Sequence, residues 1–181
     1  MLLLENSRHC LCLKGPMGTR DDFFNARKTA LLNSAFEFYL KYSPPVLPFY
    51  VHLRAQNLTV STMSCYRFRV LPAAAAGEAE VYRVAAGVET SLELNDACTL
   101  PEDTWLRLRA TILDSGATVE LRLYLRTETS WTELLGYVDE TPHLYETPGR
   151  TGFGALSPGA LYQIFVANLK IEEGDFPAEG G

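Results

Sequence analysis

The chain has 181 residues, of which 47% are hydrophobic and 21% charged, and its formal net charge at pH 7 is -6. This length suits one well-packed domain, and the composition excludes the disordered classes of protein. The negative charge argues against a nucleic-acid partner, because phosphate binding needs clustered positive charge.

The start of the chain, MLLLENSR, has too few apolar residues for a secretion signal or a membrane span. We therefore expect no membrane span, no signal peptide and synthesis in the cytoplasm. The cysteines at 10, 12, 65 and 98 and the three histidines show no spacing typical of a metal site. The sequence predicts buried free thiols and neither a metal nor a cofactor.

Alternation of apolar and polar residues recurs along the chain, which is typical of strands with one buried face. In chain order, the predicted strands are 9–14, 27–32, 35–42, 49–55, 64–71, 79–85, 89–94, 104–113, 117–126, 132–138, 150–155 and 161–172. Turn residues separate these strands, and helical periodicity is nearly absent. This pattern predicts an all-β fold, a two-sheet antiparallel jelly-roll sandwich over residues 1–175, with a peripheral tail at 176–181.

Two neighbouring strands, 104–113 and 117–126, show the alternation most clearly, and Asp114-Ser115-Gly116 between them predicts a hairpin turn. The residues predicted to point into the core are Leu106, Leu108, Ala110, Ile112, Val119, Leu121, Leu123 and Leu125.

The order of segments from 104 to 173 is WLRLRATI, VELRLYL, YVDETP, GRTGFGAL and YQIFVANLKIEEG. Upstream, three further strand-like segments are HCLCLKG, FYVHLRAQN and SCYRFRVL. Together these segments resemble the concanavalin A-like lectin and glucanase superfamily, and within it the laminin-G-like jelly rolls, in which the upstream segments would be the first strand and two paired central strands. The residues in the matching places are Trp105, Gly149, Gly152, Phe153, Gly154 and Phe165 to Ile171.

Glycoside hydrolases occur in that superfamily, and they need two carboxylates, typically spaced as Glu-x-Asp-x-x-Glu on one strand. That spacing is absent here, and the nearest approach, Glu173, Asp175 and Glu179, lies in the tail. Asp139 and Glu140 enter a loop, where an acid would ligate calcium, act in catalysis or, more often, cap backbone amides. We therefore expect the chain not to be an enzyme.

Outward positions on several predicted strands carry arginine and tyrosine, and two aromatic residues stand in predicted loops. These candidate binding residues are Arg67, Arg69, Arg107, Arg109, Arg122, Tyr124, Arg126, Trp131 and Tyr145. If the strands lie in one sheet, their guanidinium groups form a face able to bind carboxylates, sugar hydroxyls or an acidic partner. The alternative is that the arginines form cross-strand ion pairs with Glu37, Glu78, Glu80, Glu93 and Glu120. Trp131 would either stack on a sugar or close the end of the core.

Three functions are consistent with these observations. The first is a non-enzymatic structural or adhesive subunit of a larger assembly, such as a phage decoration, tail or fibre protein. It would contact other protein subunits, in a virion or an extracellular surface assembly. The alternatives are a lectin-like carbohydrate-binding module with a glycan partner and, ranked last, a glycoside hydrolase.

Overall fold

The computed structural model describes the backbone of residues 2–5, 8–13, 20–24, 31–42, 47–59, 61–73, 75–141, 148–156 and 164–173. In these ranges the chain forms strands and turns and no helix. The strands are β1 Leu2–Glu5, β2 Arg8–Leu13, β3 Arg20–Phe24, β4 Ser34–Tyr42, β5 Phe49–Gln56, β6 Ser64–Leu71, β7 Gly77–Ala85, β8 Val88–Cys98, β9 Leu106–Asp114, β10 Val119–Arg126, β11 Trp131–Asp139, β12 Arg150–Leu156 and β13 Ile164–Glu173.

These strands form two antiparallel sheets. The seven-stranded sheet has the order β1-β2-β13-β4-β9-β10-β11, and the six-stranded sheet has the order β3-β12-β5-β6-β7-β8. Strands that neighbour each other in a sheet are often distant in sequence, as where β13 lies between β2 and β4. The predicted fold class, an all-β sandwich of two antiparallel sheets, is confirmed.

The core lies between the two sheets and follows the alternation of the sequence. Leu106, Leu108, Ala110 and Ile112 of β9 are at most 4% exposed, as predicted. On β10, the predicted core residues Val119, Leu121 and Leu123 are fully buried, and Leu125 is partly buried against them. Burial of such side chains is the main favourable term in folding.

Aromatic rings join the sheets across the middle of the core. The ring centroids of Phe38 on β4 and Phe49 on β5 lie 5.3 Å apart, and those of Phe49 and Phe153 on β12 lie 5.6 Å apart. Phe36 completes the group at 5.1 Å from Phe38. Rings at these separations attract one another beyond the area that they bury.

The predicted hairpin turn after β9 is confirmed. The side chain of Asp114 accepts a hydrogen bond from the amide of Gly116 at 2.7 Å, and Gly116 has a φ of 84°. Glycine adopts this left-handed conformation without a steric penalty, which explains its place in the turn.

Two strands were not predicted, β1 and β3. The sequence of β3, RDDFF, places two acids side by side and so lacks alternation, and the strand is defined by its pairing with β12. Of the predicted strand 27–32, the described residues Leu31 and Leu32 lie outside any strand, and Leu31 forms an isolated bridge to Gly149. The predicted tail at 176–181 lies outside the described residues.

Cys65 and Cys98 are free and buried, as predicted, while the side chains of Cys10 and Cys12 are outside the described part. Across the described ranges, no helix has the length and apolar character needed to cross a membrane.

Candidate functional site

The candidate arginines are divided between the two sheets. Arg67 and Arg69 lie on β6 of the six-stranded sheet. The other candidates lie on adjacent strands of the seven-stranded sheet: Arg107, Arg109, Arg122, Tyr124, Arg126 and Trp131. A single face carrying all the arginines therefore does not exist, because the strand order places β6 and β9 in different sheets. Tyr145 lies outside the described residues.

Arg67 is not a surface residue, since it is only 1% exposed. Its guanidinium forms an ion pair with Glu89, and its Nε donates to Nδ1 of His52 at 3.2 Å. His52 Nε2 lies 2.9 Å from Oδ1 of Asp22 on β3. The prediction that Arg67 points into solvent is wrong, because neighbouring charged and polar side chains enclose it and neutralise its charge.

Cys65, His52 and Asp22 form an arrangement that local spacing in the sequence did not indicate. The Cys65 sulfur lies 4.0 Å from His52 Nδ1, and Asp22 binds the other ring nitrogen. A nucleophilic thiol needs a histidine nitrogen free to accept its proton. Here His52 Nδ1 already accepts a hydrogen bond from Arg67, and Cys65 is fully buried. The arrangement therefore fits a structural role and not a nucleophilic thiol.

Arg69 supports the ion-pair alternative. Its guanidinium lies 2.6 Å from Glu78 and 3.1 Å from Glu80, two of the predicted partners. Glu80 also accepts a hydrogen bond from Ser91 at 2.7 Å. These contacts place Arg69 in a cross-strand network on the six-stranded sheet.

Asp139 is a capping and bridging residue, which confirms the commoner of its predicted roles. It is 1% exposed, and its Oδ1 accepts from the Thr141 amide at 3.0 Å. Its Oδ2 accepts from the Tyr66 hydroxyl at 2.7 Å, and Arg83 Nη2 lies 2.5 Å from the same oxygen. Asp139 belongs to the seven-stranded sheet and both partners to the six-stranded sheet, so the carboxylate connects the sheets.

The pKa of Asp139 reflects these bonds. Burial by itself would raise the pKa, but hydrogen bonds from Thr141, Tyr66 and Arg83 outweigh it and lower the pKa to about 2. In the described part of the chain, no group of three or more histidine, cysteine or acidic side chains is arranged to hold a metal ion.

Trp131 is at the centre of a surface feature on the seven-stranded sheet. It is the first residue of β11 and is partly exposed, with its ring lying among three guanidinium groups. The guanidinium carbons of Arg107, Arg109 and Arg126 are 5.3, 5.8 and 5.6 Å from the ring centroid. These distances are those of cation–π interactions. The sequence predicted Trp131 in a loop, but it lies on a strand. Of the two predicted roles, closing the end of the core is excluded, because the ring is not part of the core cluster.

Tyr39 on β4 extends this feature across the sheet. It pairs in register with Arg107, whose guanidinium carbon is 5.7 Å from the tyrosine ring. We call the set Tyr39, Arg107, Arg109, Arg126 and Trp131 the tryptophan platform. Tyr39 was not among the predicted candidates, although its outward position in the alternation of β4 was a signal for it.

The cations of the tryptophan platform differ in their acidic partners. Arg107 Nη2 lies 2.5 Å from Glu37, as the ion-pair alternative predicted, and Arg109 Nη2 lies 3.5 Å from Glu172. For Arg126, the Trp131 ring is the side-chain partner within the described residues, and no carboxylate there pairs with it. The platform therefore carries a guanidinium that no acid in that part of the chain neutralises.

The two remaining candidates lie beside the platform on β10. Arg122 forms ion pairs with Glu120 and Glu133, at 3.3 and 2.7 Å. Tyr124 is on the predicted outward face, opposite Arg109, but it is only 8% exposed. Burial raises the pKa of the Tyr124 hydroxyl. Its cross-strand neighbours are Arg109 on β9 and Glu133 on β11.

Comparison with known proteins identifies the fold. No protein-family model matches the chain, and no curated protein sequence matches it. The chain is similar to the legume lectin-like domain of Entamoeba histolytica, with a TM-score of 0.63 and 11% identity, over 96% of this chain and 87% of that one. It is also similar to the carbohydrate binding module CBM66 of Bacillus subtilis, with a TM-score of 0.59 and 7% identity, over 90% and 86% of the chains.

A third similar structure is the CBM2 module of the evolved Dit protein of Lactobacillus casei BL23 phage J-1. Its TM-score is 0.53 at 9% identity, over 92% of this chain and 76% of that one. Identities this low establish the fold alone. The chain has a jelly-roll sandwich fold like those of these lectin-like and carbohydrate-binding structures, and its strand pattern predicted such a sandwich.

Proposed function

We propose that the chain is a non-catalytic carbohydrate-binding module and that the tryptophan platform is its sugar-binding surface. The observation that carries this proposal is the partly exposed Trp131 ring among three guanidinium groups. An aromatic ring offers a flat apolar surface to the C–H face of a sugar, and guanidinium groups donate hydrogen bonds to sugar oxygens.

The rigid position of the platform supports this function. Its residues project from adjacent strands β4, β9, β10 and β11, which are joined by continuous backbone pairing. A binding surface that is ordered before the ligand arrives loses less conformational entropy on binding. The printed descriptions of similar structures, a legume lectin-like domain and a carbohydrate binding module, support the same class of ligand.

Binding without hydrolysis agrees with the surroundings of the acids. Asp139 is enclosed by Tyr66, Arg83 and Thr141, and Glu37, beside the platform, is paired with Arg107. A retaining or inverting hydrolase needs one carboxylic acid able to protonate the leaving oxygen and a second carboxylate opposite it. The pairing of these two acids supports a binding role over hydrolysis.

The Trp131→Ala variant tests the proposal. We expect wild-type protein to bind members of a glycan array and the variant to bind them at least about tenfold more weakly, because the stacking surface is lost. Titration calorimetry on the best glycan gives the affinities. Leu58→Ala, which removes a 37% exposed side chain from the segment between β5 and β6 of the other sheet, is the matched control and should bind as wild type does.

Two results would contradict this proposal. One is unchanged affinity of the Trp131→Ala variant when its urea unfolding midpoint equals that of the wild type. The other is the appearance of reducing ends in the glycan samples, which would indicate hydrolysis.

We also propose an assembly role, because one observation favours it. Strand β8, Val88–Cys98, is the edge of the six-stranded sheet, and it exposes Val88 by 68% and Leu94 by 48%. A long exposed edge strand is able to pair with another chain. The similarity to a module of a phage Dit protein is consistent with a subunit of a virion or a surface assembly. The native mass of the protein tests this role, which is compatible with glycan binding.

A further inference from the structure

The charges around Trp131 are unequally neutralised. Arg107 has its own acid in Glu37, and its Nε also donates to that carboxylate at 2.7 Å. Arg109 faces Glu172, which additionally pairs with Lys170. Among the described residues, Arg107 and Arg109 thus each face a carboxylate, and the carboxylate beside Arg109 also pairs with Lys170.

Arg126 is the platform arginine for which the described residues supply no acidic partner. It is partly exposed at the end of β10, opposite Trp131 in the register of β10 and β11. Its guanidinium packs on the Trp131 ring at 5.6 Å, and no carboxylate in the described ranges pairs with it. The contact with the ring limits the orientations of the Arg126 guanidinium. It does not use the N–H groups of the guanidinium, because a cation–π interaction involves the ring face and not a hydrogen bond.

Arg122 provides an internal comparison. It lies four residues earlier on the same strand and the same face, and Glu120 and Glu133 both pair with it. The hydrogen bond to Glu133 is the main cause that raises the pKa of Arg122. Within the part of the chain that the structure describes, the ion pairing found at Arg107, Arg109 and Arg122 has no counterpart at Arg126.

We infer that the ligand of the tryptophan platform is an acidic glycan, whose carboxylate or sulfate group binds to Arg126 while a sugar ring packs on Trp131. This inference rests on the carbohydrate-binding function proposed above. A guanidinium forms two parallel hydrogen bonds to a carboxylate or sulfate, which gives both affinity and orientation. The formal charge of the whole chain is -6, so an anion gains attraction from this local group and not from the overall charge.

The experiment compares each acidic glycan with its own uncharged form. Oligogalacturonate, hyaluronan fragments and sialyllactose are each paired with the methyl ester, and a sulfated glycan is paired with its desulfated form. Affinities are measured by titration calorimetry for wild type, Arg126→Ala and Trp131→Ala. The matched control is Arg122→Ala, which removes the same side chain from the same strand and face.

We expect wild type to prefer an acidic glycan over its uncharged form by about tenfold or more, the size expected for hydrogen bonds between charged groups. Arg126→Ala should remove this preference and keep binding of the uncharged form, while Arg122→Ala keeps the preference. The preference should also decrease as salt rises from 0.05 to about 0.5 M, because salt screens exposed charges.

The outcomes separate the two proposals. Equal binding of charged and uncharged forms, lost in Trp131→Ala and unaffected by Arg126→Ala, would leave carbohydrate binding in place and overturn the acidic specificity. No binding of any glycan would overturn both. If Arg126→Ala instead changes the native mass of the protein and leaves glycan binding unaltered, the platform is a contact between copies and the inference is wrong.

Discussion

The role of Asp139 follows from the partners that the fold brings to one carboxylate. Tyr66, Arg83 and Thr141 are 73, 56 and 2 residues away in sequence, and all of them donate hydrogen bonds to it. The pKa of Asp139 is lowered to about 2, which means that the folded protein stabilises the ionised carboxylate more than the unfolded chain does. The carboxylate therefore stabilises the sandwich only while it is ionised.

This gives a prediction about acid stability. The contribution of Asp139 is fully present above its unfolded pKa of 3.8 and is lost as the pH falls through the folded value of about 2. Near neutral pH it amounts to about 2 kcal/mol, from about 1.4 kcal/mol per pKa unit. We expect Asp139→Asn to lower the free energy of unfolding by about that amount at pH 7, measured by urea denaturation.

The comparison of pH values makes the prediction specific. The difference between wild type and Asp139→Asn should shrink as the pH falls from 4 to 2, because the unfolded wild-type chain takes up a proton at Asp139 in that interval, whereas the folded protein does so only near its lower end. A difference that stays constant over this interval would show that the charge of Asp139 is not what stabilises the fold.

At the scale of elements, strand β12 shows how a glycine permits contact between its two neighbours. Gly154 pairs with Asp22 on β3 and with Tyr50 on β5. A Cβ atom at Gly154 would overlap Oδ1 of Asp22 and lie 3.0 Å from Nε2 of His52. The hydrogen bond between Asp22 and His52 thus passes over β12 in the space that the missing side chain leaves.

We expect Gly154→Ala to break this hydrogen bond and to lower the free energy of unfolding by about 1–3 kcal/mol, the cost of a buried polar group that loses its partner. Urea denaturation measures the loss. The control is the same substitution in an Asp22→Ala background, where it should cost far less, because the two sites interact directly. Additive effects of the two substitutions would contradict this role of Gly154.

For the whole molecule, the open question is whether the sandwich acts alone or as a subunit. Strand β8 is eleven residues long and lies at the edge of its sheet, where it exposes Val88 and Leu94 beside the acidic residues Glu89, Glu93 and Asp96. If β8 is a contact between copies, Leu94→Lys should shift the native mass toward the monomer. Thr90→Lys, also exposed on β8, separates loss of an apolar contact from addition of charge. A wild-type mass of 20.1 kDa at all concentrations would contradict assembly through β8.

The sequence by itself determined the sandwich and its core. Alternation predicted Leu108 and Leu121 inside and Arg107 outside, because a strand with one buried face must repeat every two residues. The turn after Asp114 was predictable for a similar reason, since its signals are local. Where alternation is absent, as in β3, the strand could not be predicted, because pairing with β12 defines it.

The tertiary structure alone decided which outward residues meet. Alternation assigned Arg67 and Arg107 to outward faces and said nothing about which sheet each belongs to, because strand order is set by long-range pairing. Pairing put Arg67 in a buried network with His52, and it put Arg107 and Arg126 around Trp131. The candidate site arises from the pairing of β9, β10 and β11 with one another and with β4, which is distant from them in sequence, and a pattern of period two contains no information about which strands pair.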